Sequence, residues 1–253
     1  MLDPKERFSS RVDHYVRYRP GYPHAVLEAL REGCGLAASW VVADIGAGPG
    51  NLTRLFLDHG NTVFAVEPNR PMRGAGKRLL SSYPDFASVA GSAECTLVAD
   101  ASVDLVVAGQ AFHWFDADRC KREFQRILRS PRWVALVWNQ RRVAANPFLA
   151  GYEQIAQRYR TDRASAEQCA AVHEGVLVAF FAPSGFRKVV VPNAQQFDFA
   201  GLTGRLRSAS HSPEPGHPTY AAMVAELRGL FDAHQLDGTV TMEYDTELYF
   251  GRI

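Results

Sequence analysis

The order of apolar and polar residues divides the first half of the chain into short apolar runs separated by amphipathic stretches. Such apolar runs are typical of parallel strands buried on both faces, and the amphipathic stretches predict helices. Strand and helix alternate repeatedly, which predicts a doubly wound, mostly parallel α/β sheet with helices on both faces. The predicted strands are 40–45, 62–67, 86–90, 103–108 and 133–138, and the predicted helices begin at Pro23, Asn51 and Pro71 and directly after Asp116.

The second half of the chain is less regular. Helices are predicted over 147–160, 165–181, 197–208 and 220–234, and strands over 186–191 and 238–250. No internal repeat and no linker long enough to separate domains is present in the sequence. We therefore expect one domain over 1–253. Its parts are an N-terminal arm and helix (1–35), a ligand-binding core (40–140) and a small helical cap (195–237) inserted between the last two strands.

A glycine-rich turn joins the first predicted strand to its helix. The run Asp44-Ile45-Gly46-Ala47-Gly48-Pro49-Gly50 follows apolar residues, and Glu67 ends the next strand about twenty residues on, as in nucleoside-binding units. Glycines let the backbone approach a ligand closely, and the N–H groups at a helix start favour polar or anionic groups. The two oxygens of Glu67 can bind both hydroxyls of a ribose. The unit predicts an adenosine-type site, although the glycines alone also fit an ordinary tight turn.

Two nucleoside cofactors fit this unit. Dinucleotide binders use GxGxxG, in which the third glycine lets the helix approach the strand. Here the spacing is GxGxG, and Asn51 stands where the third glycine would fall. The carboxylate of Asp44 would repel a pyrophosphate, whereas it could orient the turn or reach a ligand ammonium group through water. The residues therefore favour S-adenosylmethionine over NAD.

Composition excludes several other classes of protein. The net charge of +1 gives no reason to expect nucleic acid or an acidic membrane surface as a partner. No apolar run reaches the roughly 18 residues that a membrane helix needs, and the charged N-terminus does not resemble a signal peptide. The cysteines and histidines lack the spacing of metal ligands, so we expect no metal and reduced thiols, as in a cytoplasmic protein. We also expect the protein to be a monomer or a dimer. The cysteines are Cys34, Cys95, Cys120 and Cys169.

Residues 1–23 are rich in tyrosine, phenylalanine and arginine, which is unusual for a mobile tail. We expect this arm to fold over the nucleoside site. Arg19 could pair with a ligand carboxylate, and Tyr15 and Tyr18 could line the substrate pocket. Alternatively, the aromatic side chains only attach the arm to the domain surface. The other aromatic and basic residues considered are Arg7, Phe8, Arg11, Arg17 and Tyr22.

An aromatic segment, Phe112-His113-Trp114-Phe115, follows the fourth predicted strand. His113 is a candidate general base for an amine or hydroxyl acceptor, and the alternative is a packing role between its aromatic neighbours. Phe112 and Trp114 are candidates for the substrate pocket. Trp114 and Phe115 could contact a sulfonium by cation–π attraction. Alternatively, these two residues anchor the next helix. Residues of the insert could bind an anionic substrate or form a solvated helix face: Arg205, Arg207, Ser208, Ser210 and His211.

The glycine turn together with Val66-Glu67-Pro68-Asn69 resembles the first two motifs of the class I, Rossmann-fold S-adenosylmethionine-dependent methyltransferases of the type 11 kind. The segment 91–94 is similar to the third motif of that family, and 110–116 resembles the fourth. The arm, with Tyr-Arg-Pro-Gly-Tyr-Pro at 18–23, resembles the branch that includes trans-aconitate methyltransferase. The resemblance implies a seven-stranded sheet whose last strand is antiparallel and lies between the fifth and the sixth.

The resemblance also implies roles for individual residues. Gly46, Ala47, Gly48 and the neighbouring backbone would hold the methionine part and the ribose. Glu67 would bind the ribose hydroxyls, and Asn69 would lie beside the adenine. Ala93 and Glu94 would present a backbone N–H or a carboxylate to the adenine edge. Gln110 would lie near the methionine portion, and Arg19 would bind its carboxylate.

Together these features predict an S-adenosylmethionine-dependent methyltransferase that transfers a methyl group to a carboxylate or hydroxyl of a small molecule. Methyl transfer from a sulfonium is an in-line displacement in which a positive charge disappears, so the protein mainly positions the reactants and excludes water. The alternatives are an NAD-dependent oxidoreductase and a nucleoside-binding module without catalysis.

Overall fold

The predicted apolar runs form one seven-stranded sheet in the computed structural model, which describes residues 12–162 and 174–253. The strands are β1 (Val41–Ile45), β2 (Thr62–Val66), β3 (Phe86–Val89), β4 (Val103–Gly109), β5 (Leu128–Arg141), β6 (Phe186–Phe197) and β7 (Val240–Arg252). Their order is β3-β2-β1-β4-β5-β7-β6. The first five strands are parallel, and β7 lies antiparallel between β5 and β6. The predicted fold class, including the position of the last strand, is confirmed.

Most of the helices begin and end close to their predicted bounds, whereas the first, in the arm, was not predicted as a helix. They are α1 (Val12–Tyr18), α2 (Ala25–Cys34), α3 (Asn51–Asp58), α4 (Arg70–Leu79), α5 (Ala117–Ile127), α6 (Pro147–Arg158), α7 (Glu174–Phe181), α8 (Phe199–Arg207) and α9 (Tyr220–His234). A short 3₁₀ helix, Phe112–Trp114, follows β4. The described residues do not include part of the predicted helix 165–181, where Cys169 lies. They also do not include Arg7, Phe8 and Arg11 of the arm. Within the described part of the chain, no helix is long and apolar enough to cross a membrane.

Two strands, β5 and β6, extend beyond their predicted ranges of 133–138 and 186–191. Both pair with β7, and the whole length of β6 takes part in that pairing. The added residues of β6, 192–197, alternate between exposed and at least half-buried and include three polar residues, so no apolar run marks them in the sequence. Pro192 is tolerated there because β6 is the edge strand of the sheet.

Side chains of the central strands alternate between two apolar clusters, one on each face of the sheet. Val42 belongs to the cluster that contains Leu30 of α2 and Phe56 of α3. Its neighbour Ala43 belongs to the opposite cluster, which contains Phe124 of α5. Because helices cover both faces, a ligand has access to this sheet at the carboxyl ends of its parallel strands.

A third apolar cluster surrounds the end of β6 and the beginning of β7. It joins α6, α8 and α9 around Met242 and Tyr244 of β7. Helix α6 precedes β6 in the chain, so this cap contains more than the predicted insert 195–237. The arm lies on the cap, where the ring of Tyr18 packs so closely on Gly204 of α8 that a Cβ at 204 would overlap it. Glycine at this position lets the arm approach the cap.

Candidate functional site

The glycine turn between β1 and α3 lies at the carboxyl edge of the sheet. Gly46, Gly48 and Gly50 have φ angles of +70°, +58° and +96°, which residues with a Cβ rarely adopt. A Cβ at Gly46 would lie 2.7 Å from the Cβ of Ala111, whereas one at Gly48 would meet nothing within 4 Å. Close packing therefore requires glycine at 46, and the backbone at 48 faces open space in which a ligand can lie.

The carboxylate of Glu67 connects the tip of β2 to this turn. Its Oε2 accepts a hydrogen bond from the backbone N–H of Gly48 at 2.8 Å, and its Oε1 accepts one from the backbone N–H of Asn69 at 2.7 Å. Burial raises the pKa of Glu67, and the two backbone hydrogen bonds oppose that rise. Each carboxylate oxygen has a second lone pair, so Glu67 can accept further hydrogen bonds from two hydroxyl groups of a ligand.

Asp44 in β1 is fully buried beneath the turn. Its Oδ2 accepts a hydrogen bond from Oγ1 of Thr53 at 2.6 Å, and its Oδ1 has no hydrogen-bond partner among the described residues. Burial raises the pKa of Asp44 to about 7; the hydrogen bond from Thr53 opposes this rise, and the charge of Glu67 adds to it. The carboxyl group is therefore only partly ionised at neutral pH, and its unpaired oxygen can accept a hydrogen bond from a ligand or a water.

The raised pKa of Asp44 predicts a pH dependence of stability. The native state holds a proton that the unfolded chain releases near the ordinary aspartate pKa of about 3.9. The free energy of unfolding therefore falls as pH rises from about 4 to about 7, by up to about 1.4 kcal/mol per pH unit. We expect Asp44→Asn to remove this contribution. Urea unfolding of the unaltered protein and of Asp44→Asn between pH 5 and pH 8, without ligand, measures the difference. If the free energy of unfolding changes with pH equally in both proteins, Asp44 does not have a raised pKa.

Two adjoining cavities open at this edge of the sheet. Cavity A, of about 410 Å³, lies between the glycine turn, the arm and the cap. Cavity B, of about 330 Å³, lies between the turn, the tip of β2 and the 3₁₀ helix after β4. Both are lined by Tyr15, Arg19, Gly46, Gly109 and Gln110. Together they form a groove across the ends of β1 and β4, where open α/β sheets bind their ligands.

Cavity B contains the residues predicted to surround an adenosine group. Those that line it are Glu67, Asn69, Ala93 and Glu94. The Oδ1 atom of Asn69 accepts the backbone N–H of Met72 at 2.9 Å and caps α4. The carboxylate of Glu94 accepts the backbone N–H of Asp116 at 3.2 Å. The cavity thus combines apolar walls with a few fixed polar groups, as small-molecule sites commonly do.

The junction of the two cavities lies at the glycine turn and Gln110. Ala47 lines cavity A and Gly48 lines cavity B, so the turn separates them. Gln110 follows β4 with a φ angle of +56°, and its Nε2 donates a hydrogen bond to the backbone oxygen of Asn139 at 3.0 Å. An extended ligand that occupies both cavities would pass these three residues.

The arm contributes Tyr15 and Arg19 to both cavities. The guanidinium carbon of Arg19 lies 5.0 Å from the centre of the Tyr15 ring, and one of its nitrogens donates to the backbone oxygen of Ser208 at 3.1 Å. Its Nε is buried and has no hydrogen-bond partner among the described residues. Burial, followed by the positive charge of Arg205, lowers the pKa of Arg19 to about 10, so the group is charged at neutral pH.

Two residues expected in the substrate pocket lie elsewhere. Phe112 is 2% exposed and packs edge-on against Phe180, with ring centres 4.8 Å apart. Its backbone lies in the 3₁₀ helix, which directs the ring into the core. Tyr18 lines neither cavity, because its ring is held against Gly204 of the cap. Both expectations are corrected: these aromatic side chains support the site and do not line it.

The next two residues of the aromatic segment, His113 and Trp114, do line cavity B. Their ring centres are 4.9 Å apart. Burial lowers the pKa of His113 to about 4, and its Nδ1 has no hydrogen-bond partner among the described residues. The imidazole is therefore neutral at physiological pH and only weakly basic.

Further residues that line cavity A were not predicted from the sequence, among them Asn139, Arg141 and Glu153; Tyr22, considered above with the arm, lines it as well. Asn139 lies near the end of β5, where its Nδ2 donates to the backbone oxygen of Gly21 at 3.2 Å and attaches the arm. A signal for Asn139 and Arg141 was present, because polar residues directly follow the apolar run of the fifth strand at its carboxyl end. Glu153 has no comparable signal.

Comparison with known proteins agrees with this geometry. A family model described as a methyltransferase domain matches residues 43–135. An uncharacterised methyltransferase of Mycobacterium tuberculosis is 38% identical over 134 residues, which cover 53% of this chain and 52% of that protein. An uncharacterised methyltransferase-like protein of Schizosaccharomyces pombe is 31% identical over 159 residues, covering 62% and 60%. The chain thus spans about half the length of the first of these relatives.

The fold has counterparts among solved structures. A candidate type II methyltransferase from Anaeromyxobacter dehalogenans has a TM-score of 0.67 and 23% identity, covering 93% of this chain and 98% of that one. This likeness shows the methyltransferase form of the Rossmann-like fold. The segment that the family model matches, residues 43–135, contains the glycine turn and Glu67. Another solved structure with this fold, from Methanococcus maripaludis, is described as a candidate S-adenosyl-L-methionine-dependent methyltransferase; its TM-score is 0.51 and its identity 16%, covering 75% of this chain and 91% of that one.

Proposed function

We propose that this protein transfers the methyl group of S-adenosylmethionine to a carboxylate or hydroxyl of a small molecule. One observation carries the proposal: the buried carboxylate of Glu67 is fixed by the backbone of Gly48 and Asn69 at cavity B, with lone pairs left for the two hydroxyls of a ribose. The match of residues 43–135 to a methyltransferase domain supports it.

The roles proposed for individual residues follow the groove. Cavity B takes the adenosine, with Glu67 at the ribose and Asn69, Ala93 and Glu94 around the adenine. The methionine part passes Gly46, Ala47 and Gly48 toward cavity A, near Gln110 and Asp44. Arg19 binds the methionine carboxylate, because it lines both cavities and has no acidic partner among the described residues. Tyr15 and Trp114 form walls of the groove.

When bound, S-adenosylmethionine would supply a methyl carbon for in-line attack by a lone pair of the acceptor, with the carbon–sulfur bond breaking and S-adenosylhomocysteine leaving. The chain holds the acceptor in cavity A and excludes water by closing the arm onto the cap. That closure rests on Tyr18 against Gly204 and on the hydrogen bond from Arg19 to the backbone oxygen of Ser208. A carboxylate acceptor needs no base, because it carries no proton to lose.

We further propose that residues 1–253 act as one domain and belong with the branch that includes trans-aconitate methyltransferase. The Tyr-Arg-Pro-Gly-Tyr-Pro arm supports this placement, since it contributes Arg19 and Tyr22 to cavity A. The cytoplasmic location, the monomeric or dimeric state and the absence of nucleic acid among its partners stay predictions from the sequence.

His113 is expected to contribute little as a base. A neutral imidazole whose conjugate acid has a pKa of about 4 is a poor acceptor for the proton of an alcohol, whereas effective general bases contribute about 10²- to 10⁴-fold in rate. We predict that His113→Ala keeps kcat within about tenfold of the unaltered enzyme. Between pH 6 and pH 8 the titration of His113 should leave no step in kcat. A loss of kcat of about 100-fold or more would restore His113 as the catalytic base.

A methyl-transfer screen tests the proposed function. Small acids, phenols and amines are incubated with the protein and S-adenosylmethionine labelled in its methyl group, and the products are separated by mass. We expect label in a methyl ester or methyl ether. Label transferred only to amines would contradict the proposed acceptor class, and failure of S-adenosylmethionine to bind would contradict the cofactor assignment.

A further inference from the structure

The arm crosses the carboxyl ends of β4, β5 and β6 between Tyr18 and Tyr22. At β4 the hydroxyl of Tyr22 lies so close to the strand that a Cβ at Gly109 would be 2.4 Å from its oxygen. At β5 and β6, side chains near the strand ends donate hydrogen bonds to the backbone of the arm. The crossing also forms part of the wall of cavity A, because Arg19 and Tyr22 line it.

Three carboxamide side chains hold the backbone of the arm at this crossing. The oxygen of Gly21 accepts from Nδ2 of Asn139 at 3.2 Å and from Nδ2 of Asn193 at 3.0 Å. The oxygen of Tyr18 accepts from Nε2 of Gln195 at 3.4 Å. Asn139 is the most buried of the three donors, with 8% of its surface exposed, whereas the other two are half-buried.

The carboxamide of Asn139 is held in one orientation. Its Oδ1 accepts from Oγ1 of Thr246 in β7 at 2.5 Å and from Nδ2 of Asn193 at 3.1 Å. With both donors on the oxygen, the amide nitrogen is directed to Gly21. The backbone oxygen of Asn139 accepts from Nε2 of Gln110. Asn139 therefore connects the arm with β7 and with the junction of the two cavities.

The attachment at Gly21 limits where Arg19 can lie. Arg19 precedes Gly21 by two residues, which span at most about 7 Å, and Pro20 between them restricts the backbone further. The guanidinium group of Arg19 donates to the backbone oxygen of Ser208 in the cap. Arg19 is thus held between the sheet and the cap, and loss of the attachment to the sheet would let its backbone move.

We propose that Asn139 is a positioning residue for the methyl donor. It fixes the arm at Gly21 and so directs the guanidinium of Arg19 to the methionine carboxylate. The effect passes through Arg19 and not through contact between Asn139 and the methyl donor. This inference rests on the proposed function, in which Arg19 binds that carboxylate, and adds the residue that places Arg19. Asn139 thereby favours ligands with an amino-acid group over 5′-methylthioadenosine, which lacks one.

The isosteric variant Asn139→Asp tests this role by calorimetry on the full chain. It keeps the oxygen that accepts from Thr246 and Asn193, and it replaces the donor to Gly21 with an oxygen that repels the backbone oxygen there. We expect S-adenosylhomocysteine to bind about tenfold or more weakly, whereas the affinity for 5′-methylthioadenosine stays within about threefold.

Asn61→Asp is the matched control. Asn61 is fully buried, and its Nδ2 donates to the backbone oxygens of Ala37 and Trp40 at 2.9 Å each, but it lines neither cavity. The control variant should lower the free energy of unfolding and leave both affinities of the folded protein unchanged.

Thr246→Val tests the same role without altering Asn139, and it decides the question if Asn139→Asp does not fold. Valine keeps the shape of this fully buried side chain and removes the hydroxyl that orients the carboxamide. Thr246 lines neither cavity, so its effect on a ligand must pass through other residues. We expect S-adenosylhomocysteine to bind about fivefold more weakly and 5′-methylthioadenosine to bind as before.

Combination with Arg19→Gln shows whether Asn139 acts through Arg19. If it does, the double variant binds S-adenosylhomocysteine within about threefold of Arg19→Gln alone. A further loss of about tenfold would show that Asn139 acts independently of Arg19 and would overturn the inference. Equal weakening of both ligands by Asn139→Asp, or unchanged S-adenosylhomocysteine affinity in Asn139→Asp and Thr246→Val, would overturn it as well.

The unaltered protein separates these outcomes from failure of the proposed function. If it binds no S-adenosylhomocysteine, the proposed function fails. If it binds S-adenosylhomocysteine and Arg19→Gln binds equally well, the carboxylate role of Arg19 is wrong and this inference is wrong with it. If only Arg19→Gln is weakened, the role of Arg19 stands and the positioning role of Asn139 fails.

Discussion

Replacement of Glu67 by alanine is expected to abolish measurable binding of S-adenosylhomocysteine. The substitution removes the acceptor proposed for both ribose hydroxyls, and hydrogen bonds to charged groups contribute about 1.5–3 kcal/mol each. Losing two of them weakens affinity by about 100-fold or more. The substitution also leaves the backbone N–H groups of Gly48 and Asn69 without their partner, which costs about 1–3 kcal/mol of stability for each group that stays buried.

Binding and stability must be measured separately to interpret this variant. Glu123 offers a matched control, since it is also an acid that accepts a backbone N–H, from Thr96 at 2.8 Å, but lines neither cavity. Glu123→Ala should lower the free energy of unfolding and leave the affinity of the folded protein unchanged. The affinity of both variants for S-adenosylhomocysteine is measured by calorimetry at a temperature where both are folded. Unchanged affinity in Glu67→Ala would remove Glu67 from the ribose role.

The second large effect is expected for Arg19→Gln. Arg19 carries a half-buried charge with no acidic partner among the described residues, so a ligand carboxylate would supply the missing acidic partner. Truncating one partner of a buried charge pair costs about 2–5 kcal/mol, which corresponds to a loss of S-adenosylhomocysteine affinity of about 30-fold or more. 5′-Methylthioadenosine lacks the amino-acid group, so its affinity should change little in the variant.

This comparison distinguishes two roles of Arg19. If both ligands lose affinity alike, Arg19 acts by attaching the arm to the cap through the backbone oxygen of Ser208, and the carboxylate role is wrong. Arg17→Gln is the control, because Arg17 lies in the same arm two residues before Arg19, is exposed and lines neither cavity. It should bind both ligands as the unaltered protein does.

The sheet was predictable because its information is local. Apolar runs such as 103–108 mark buried parallel strands, and caps such as Asp116, whose side chain accepts the backbone N–H of Arg119 at 3.0 Å, mark helix starts. The polar end of β6 and the membership of α6 in the cap depend on contacts between segments far apart in the chain. The pattern of apolar and polar residues within either segment therefore does not predict those contacts.

The same distinction applies to the site. The glycine turn and Glu67 lie in one strand–turn–helix–strand unit, where spacing alone predicts that they meet. Cavity A is assembled from the arm, the end of β5, α6 and α8, so Arg141, Glu153 and Arg205 meet only in the folded protein. The expectation that Phe112 and Tyr18 line the substrate pocket was wrong. A sequence gives the position of an aromatic residue along the chain, but it does not give the direction of its side chain in the folded protein.

Calorimetric titration with S-adenosylhomocysteine and with NAD⁺ tests the central claim most directly. The spacing of the glycines and the buried Asp44 beneath the turn favour a sulfonium cofactor over a dinucleotide. We predict saturable binding of one S-adenosylhomocysteine per chain and no detectable binding of NAD⁺. Binding of NAD⁺ without binding of S-adenosylhomocysteine would contradict the account and favour an oxidoreductase.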